Sequence, residues 1–302
     1  MGRRHGLLVV LALIILLNVL FTPNFATLRN AEITLIQVVF VVLVGTGMTL
    51  VIALGGIDLS VGAVMGLASV ITFQLLPYGP VVVIGAGLLT GLAVGLSNGI
   101  LIASFGVQPL LVTLGSLIWV RGLAQVLSGG RKEYFQDPAM AFIGLGRVFG
   151  IPVQVLVAAV VALLVAMLVA RTVFGRWLVA IGGNPNAARL AGLPFMATTV
   201  TAYALCGMLA GLAGVFITAR VGSSDPTNFG VLIELDAIAA AVVGGTALAG
   251  GRANVLGTVI GALMLQLVTA AMIMNNVSFH YALIVKAVII LWAVRMQQAE
   301  RS

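Results

Sequence analysis

The sequence predicts an all-α integral membrane protein of about ten transmembrane helices, some of them broken, with a two-fold internal repeat suggested by its glycines. Hydrophobic residues make up 61% of the 302 residues and charged residues only 8%, against roughly 25% charged in a soluble domain. A spanning helix needs about 20 mostly apolar residues, and cutting the chain at its polar breaks gives about ten such stretches. Residues 1–302 therefore read as one transmembrane domain with no soluble domain appended.

The first stretch, 7–22, follows Arg3 and Arg4. It is long for a secretory signal and no small-x-small cleavage site follows it, so it reads as an uncleaved span with its arginines in the cytoplasm. The remaining spans fall near 33–54, 61–76, 81–104, 110–128, 151–170, 198–219, 234–249, 254–273 and 281–296. Alternation places Arg171, Arg176, Arg189, Arg252, Arg295 and Arg301 on the inner side with Arg3 and Arg4. The outer side holds Arg29, Arg131, Lys132, Arg147 and Arg220, diluted by Glu32, Glu133, Asp137 and Asp225. This bias puts both termini in the cytoplasm, and it explains the net charge of +7 without nucleic acid.

Glycine marks the breaks. Gly55-Gly56-Ile57-Asp58 and Gly250-Gly251-Arg252 each end one apolar run and begin another. Gly55, Gly56, Gly62 and Gly66 recur at a fixed offset as Gly250, Gly251, Gly257 and Gly261, the pattern expected of a repeat with its pathway near the repeat interface. Gly87, Gly91, Gly95 and Gly99 line one face of the fourth span, and Gly207 with Gly211 repeats the spacing. Such flat faces let backbones approach closely in lipid. They suit either a dimer seam or packing within the chain.

Catalytic signatures are weak. Gly95-Leu96-Ser97-Asn98-Gly99 has the spacing of a nucleophile elbow, but it lies inside a long apolar helix rather than at a strand-to-helix turn. The two histidines, His5 and His280, fall at the wrong places for a base beside Ser97. No Walker A loop is present, because neither Lys132 nor Lys286 follows a glycine. Cys206 is the single cysteine, which rules out a disulfide framework, and no residue cluster has metal-ligand spacing.

Charges near the membrane remain as functional candidates, since each is expensive there and faces a cavity or a partner. Arg121 and Lys286 fall within spans, Asp58 closes the second span at its inner end, and Glu234 and Asp236 open the eighth at its outer end. Arg121 is expected to pair with Glu234 or Asp236. The outer loops 129–150 and 220–233 either connect spans or offer a docking surface to an extracytoplasmic protein, with Tyr134 and Phe135 as anchors.

The longest polar interruption, Arg171 to Pro194, carries three arginines and no acid. It reads as a basic, catalytically empty handle for a partner.

Taken in order, these residues resemble the membrane (permease) subunit of ribose-type ABC sugar importers, the family that also serves xylose, arabinose and galactose. The resemblance rests on Gly47-Met48-Thr49, Gly55 to Gly62, Asn98-Gly99, Pro109, Thr113-Leu114-Gly115 and Arg121-Gly122. It continues through Gly182-Gly183-Asn184, Ala187-Ala188-Arg189, Gly192, Glu234 to Ala240, Gly244-Gly245-Thr246, Gly250-Gly251-Arg252 and Val285 to Val288.

That resemblance implies a bacterial inner-membrane importer of two permease subunits, with a cytoplasmic ABC ATPase below and a periplasmic sugar-binding protein above. ATP and magnesium would belong to the ATPase, with no cofactor on this chain. The coupling segment, 171–197, would present Gly182, Gly183, Asn184, Asn186, Ala187, Ala188, Arg189 and Gly192 to that motor. Asp58, Asn98, Gln108, Thr113, Arg121, Glu234 and Asp236 are the candidate pathway or gating residues; packing explains Asn98, Gln108 and Thr113 equally well. The alternative is a motor-independent carrier or channel for a small polar solute.

Overall fold

The computed structural model describes residues 2–299; Met1 and residues 300–302, Arg301 among them, lie outside the described residues. The helices are α1 (Gly2–Phe21), α2 (Leu28–Ala53), α3 (Val61–Gln74), α4 (Pro80–Phe105), α5 (Pro109–Ser128), α6 (Pro138–Leu145) and α7 (Val153–Arg171). They continue as α8 (Val173–Gly183), α9 (Pro185–Leu190), α10 (Phe195–Val221), α11 (Ile233–Val243), α12 (Val255–Met274) and α13 (Phe279–Ala299). Four two-residue strands occur among the described residues: β1 (Glu133–Tyr134), β2 (Arg147–Val148), β3 (Ile151–Pro152) and β4 (Ser223–Ser224). β1 pairs with β4, tying the loop 129–150 to the loop 220–233, and β2 pairs with β3 as a local hairpin before α7.

Among the described residues, six helices, α2, α4, α5, α7, α10 and α12, meet both the length and the hydropathy needed to cross a membrane. Of the other expected spans, α1 with 20 residues and α13 with 21 are of spanning length, whereas α3 and α11 are short. With 14 residues, α3 reaches about 21 Å, and with 11, α11 reaches about 16 Å, well below the ~30 Å hydrocarbon core. The eighth span, expected over 234–249, is helical only to Val243, because Gly244 and Gly245 begin an irregular turn that runs to Asn254. Gly245 takes φ +91, which other residues rarely adopt.

Every residue of α2 from Val38 to Ala53 is buried, as is α3 from Val61 to Val70. These two helices form the centre, with α10, α11 and α12 packed around them. A helix apolar all round belongs in such a position. The Thr49 and Thr258 hydroxyls meet at 2.7 Å and join α2 to α12.

The glycine faces are used inside the chain, not at a dimer seam. A Cβ at Gly91 would collide with the Gly207 carbonyl, and one at Gly95 with the Tyr203 carbonyl, so α4 lies directly on α10. Gly257 and Gly261 do the same for α12 against Gly244 and Ala240. The suggested repeat has a backbone counterpart at its breaks: Gly55 takes φ +83 and Gly250 φ +82, each followed by a helix that starts within six residues. The helices preceding the two breaks differ, at 26 residues for α2 and 11 for α11.

Candidate functional site

The coupling segment is two short helices and a stop. Thr172 caps α8 by accepting from Gly175 N. Phe174, Leu178 and Ile181 then turn toward the bundle while Arg176 stays exposed. Asn184, in extended conformation, ends α8 and caps α9 with its side-chain oxygen 3.0 Å from Ala187 N. Pro185 fits the first helical position, where no amide hydrogen is needed. Gly192, at φ +71, ends α9: its amide bonds to Arg189 O and the Leu193 amide to Ala188 O, both at 3.0 Å. That pair of bonds is a Schellman motif, and its left-handed position favours glycine.

Of the residues assigned to this handle, Gly183, Asn184, Asn186, Ala187, Arg189 and Gly192 are exposed, whereas Gly182 and Ala188 are buried. Arg189 lies over the Phe195 ring at 4.3 Å, which braces α9 against the start of α10. Sequence reasoning missed Leu190, which is 91% exposed at the tip. An apolar side chain between Arg189 and Ala191 carries no charge of its own to mark it, and only the helix geometry shows that it points outward.

A second constellation surrounds the break after α2. Asp58 is fully buried and its Oδ1 accepts from Ser60 N at 2.9 Å and Ser60 Oγ at 2.6 Å, holding the carboxylate at the N-terminal start of α3. Ser60 Oγ accepts from Asn98 Nδ2 at 3.0 Å, Asn98 Oδ1 from Ser116 Oγ at 2.5 Å, and Ser116 Oγ from Trp119 Nε1 at 3.2 Å. All four donors point the same way, from the half-exposed Trp119 on α5 to the buried carboxylate, an arrangement in which each bond polarises the next. Thr113 adds a bond from its hydroxyl to Ile57 O. Asp58 Oδ2 and the Tyr203 hydroxyl are buried without a hydrogen bond. A small cavity of about 70 Å³, lined by Gly55, Gly56, Pro109, Thr199 and Tyr203, lies beside this break. The structure thus brings Asp58, Asn98 and Thr113 together and leaves Gln108 apart, exposed at the α4–α5 turn.

The remaining charges form two further groups. Arg121 Nη1 donates to Pro226 O at 2.9 Å and Phe229 O at 2.8 Å, stapling α5 to the segment that leads into α11. Gly66 and Gly62 on α3 make room for the Arg121 guanidinium and the Glu234 carboxylate, so α11 begins beside the first turns of α3 rather than at the outer rim. Of the two partners expected for Arg121, Glu234 lies within its electrostatic reach and Asp236 does not pair with it. Asp236 instead takes Lys286 of α13, with Nζ 2.9 Å and 3.1 Å from its two oxygens. Lys286 is seven residues into α13, and spacing alone does not show which helix α13 meets.

In the loop 129–150, Tyr134 is exposed but Phe135 is half-buried against Phe73, so it supports the loop and is not a free anchor. Phe149 is the most exposed aromatic of that loop, at 98%. Arg147 and Glu32 form an ion pair that fixes β2 to the start of α2. Burial alone would raise the Asp225 carboxyl, but hydrogen bonds from the Asn228 side chain and the Asn228 and Thr227 amides, with Lys132 nearby, outweigh it and hold the group below its ordinary value. Ser97 donates to Ala93 O within its own helix, far from any elbow geometry. Among the described residues no group of His, Cys, Asp and Glu could hold a metal.

Over residues 30–294 the chain matches the permease family described as "Branched-chain amino acid transport system / permease component". The chain belongs to this permease family. The permease is 38% identical over 298 residues to the ribose import permease protein RbsC of Escherichia coli K12, covering 97% of this chain and 92% of that one. It is 36% identical over 301 residues to the galactofuranose transporter permease protein YtfT of the same strain, covering 96% and 88%. It is also 36% identical over 302 residues to the L-arabinose ABC transporter permease protein AraH of Azospirillum brasilense, covering 99% and 89%. No solved structure matches the chain. The permease is therefore a multi-pass membrane protein of a transport family.

Proposed function

We propose that this permease is the membrane subunit of a binding-protein-dependent ABC importer for a monosaccharide of the pentose or hexose class. The observation that carries the reading is full-length identity of 36–38% to relatives named for ribose, galactofuranose and L-arabinose. The family's description names branched-chain amino acids, but whole-length relatives weigh more for the substrate class than a shared family. The handle supports the same reading: a capped, stopped helix pair with an exposed Leu190 suits a groove on a separate ATPase.

In this reading the protein sits in the inner membrane with both termini in the cytoplasm, pairs with a second permease, and receives sugar from a periplasmic binding protein. ATP binding closes the motor and displaces α8 and α9, switching the pathway between outward and inward access. A transporter must release its cargo, so hydroxyl-matching groups serve it better than a deep charged site. Coupling residues are Gly182, Gly183, Asn184, Asn186, Ala187, Ala188, Arg189 and Gly192, and Leu190 joins them.

Gentle purification from the native membrane, with partner stoichiometry read by mass spectrometry, tests the assignment. A P-loop ATPase at matching stoichiometry is expected. A folded chain that comes away alone would favour the motor-independent carrier.

A further inference from the structure

Three segments far apart in sequence meet at one point. The last turn of α8 brings Gly182 and Gly183, the end of α2 brings the Ala53 carbonyl and Gly55, and the turn before α12 brings Gly250 and Gly251. The Gly251 amide donates to Ala53 O at 2.9 Å. A Cβ at Gly182 would collide with the same carbonyl and lie 2.8 Å from Gly251 N. A Cβ at Gly250 would lie 2.5 Å from Gly182 O and 3.0 Å from Gly55 N, and one at Gly251 would lie 2.8 Å from Gly183 Cα. The two glycine turns, which match in sequence and in the φ of Gly55 and Gly250, therefore face each other, with the end of α8 packed against both.

We infer that this glycine junction is the transmission point of the permease, and that Gly182, Gly250 and Gly251 are positioning residues for transport. The inference rests on the importer reading above. Side-chain contacts, such as Arg189 over the Phe195 ring, can absorb displacement by a change of rotamer. Backbone against backbone has no such compliance, because close-packed atoms transmit strain. Displacing α8 and α9 must then carry the end of α2 and the turn at 247–252 together. The half-helix α3 and the helix α12 follow those two ends directly, so both breaks receive the same push. Tyr203 of α10 closes on Gly56 from the other side, which ties the α2 break to the helix that follows α9.

The test reconstitutes the permease with its ATPase and binding protein in proteoliposomes and measures sugar imported per ATP hydrolysed. Gly182→Ala is expected to lower that ratio by about fivefold or more, the lower end of usual coupling factors. Gly85→Ala, on an open face of α4 with no atom within 4 Å of its Cβ, is expected to leave the ratio unchanged. A folded Gly182→Ala complex with the wild-type ratio overturns the inference.

Where Gly182→Ala does not assemble, hydrogen exchange on the wild-type complex decides. Peptides spanning 249–253 are expected to exchange at rates within about fivefold between nucleotide-free and ATP-bound states, since a rigid junction keeps its Gly251 bond. Acceleration beyond that on ATP binding means the junction opens, and overturns the inference. A wild-type complex that hydrolyses ATP without importing sugar would instead overturn the importer reading.

Discussion

Leu178 and Leu190 lie twelve positions apart on the two helices of the coupling segment and differ in one physical respect. Leu178 is fully buried against the bundle and Leu190 is 91% exposed. Truncating each to alanine separates folding from docking. Leu178→Ala removes a packed side chain and leaves a cavity, at about 3 kcal/mol of stability. Leu190→Ala removes a side chain that touches almost nothing within the subunit, so its effect on stability stays within about 0.5 kcal/mol. If the motor's groove covers Leu190, the same truncation loses about 2 kcal/mol of burial, or about 30-fold in affinity. Stability is read from the labelling of Cys206, the single cysteine and fully buried in α10, as permease in nanodiscs is heated. Affinity is read from ATPase binding to the same nanodiscs. Leu190→Ala should lower affinity alone, and Leu178→Ala should lower the labelling temperature. ATPase binding by Leu190→Ala within twofold of wild type would refute the docking assignment.

The α4–α10 seam predicts that Gly91→Ala destabilises by about 2 kcal/mol through overpacking, whereas Gly85→Ala on the open side of α4 is neutral or stabilising; equal unfolding temperatures would contradict that packing. Lys286→Met should cost about 3 kcal/mol by stranding Asp236, and adding Asp236→Leu should recover much of it, as measured by a double-mutant cycle; simple additivity would show that the pair is not coupled. Because the folded Asp225 carboxyl is held below its ordinary value, its contribution is present above about pH 4 and is lost as pH falls through the folded value. The acid drop in unfolding temperature should therefore begin below about pH 4 and shrink in Asp225→Asn, and a midpoint near neutrality would implicate another group.

Nine of the expected spans have helices within a few residues of their predicted ends, because apolar length and glycine or proline punctuation decide where such a helix can run. The eighth was overextended, since Gly244-Gly245 looks like any apolar glycine pair until Gly245 is seen at positive φ. The short helix at 185–190 went unread within the polar handle, although Asn184, Pro185 and Gly192 each have one backbone role at its ends. Charge pairing was legible only in part, in the nearness of Arg121 to Glu234. Arg121 answers backbone carbonyls of a segment that folds inward, and Asp236 answers a lysine fifty residues away. The meeting of Gly55, Gly182 and Gly250 was equally hidden, because sequence marks glycines and does not say which backbones they admit.

The most direct test of the central claim is sugar uptake into proteoliposomes containing the permease, measured with and without the ATPase chain, in the presence of ATP and binding protein. Uptake that requires the ATPase, and that is lost with Leu190→Ala in proportion to the lost docking, is the predicted result. Equal flux through the permease alone would contradict the account and leave a motor-independent carrier in its place.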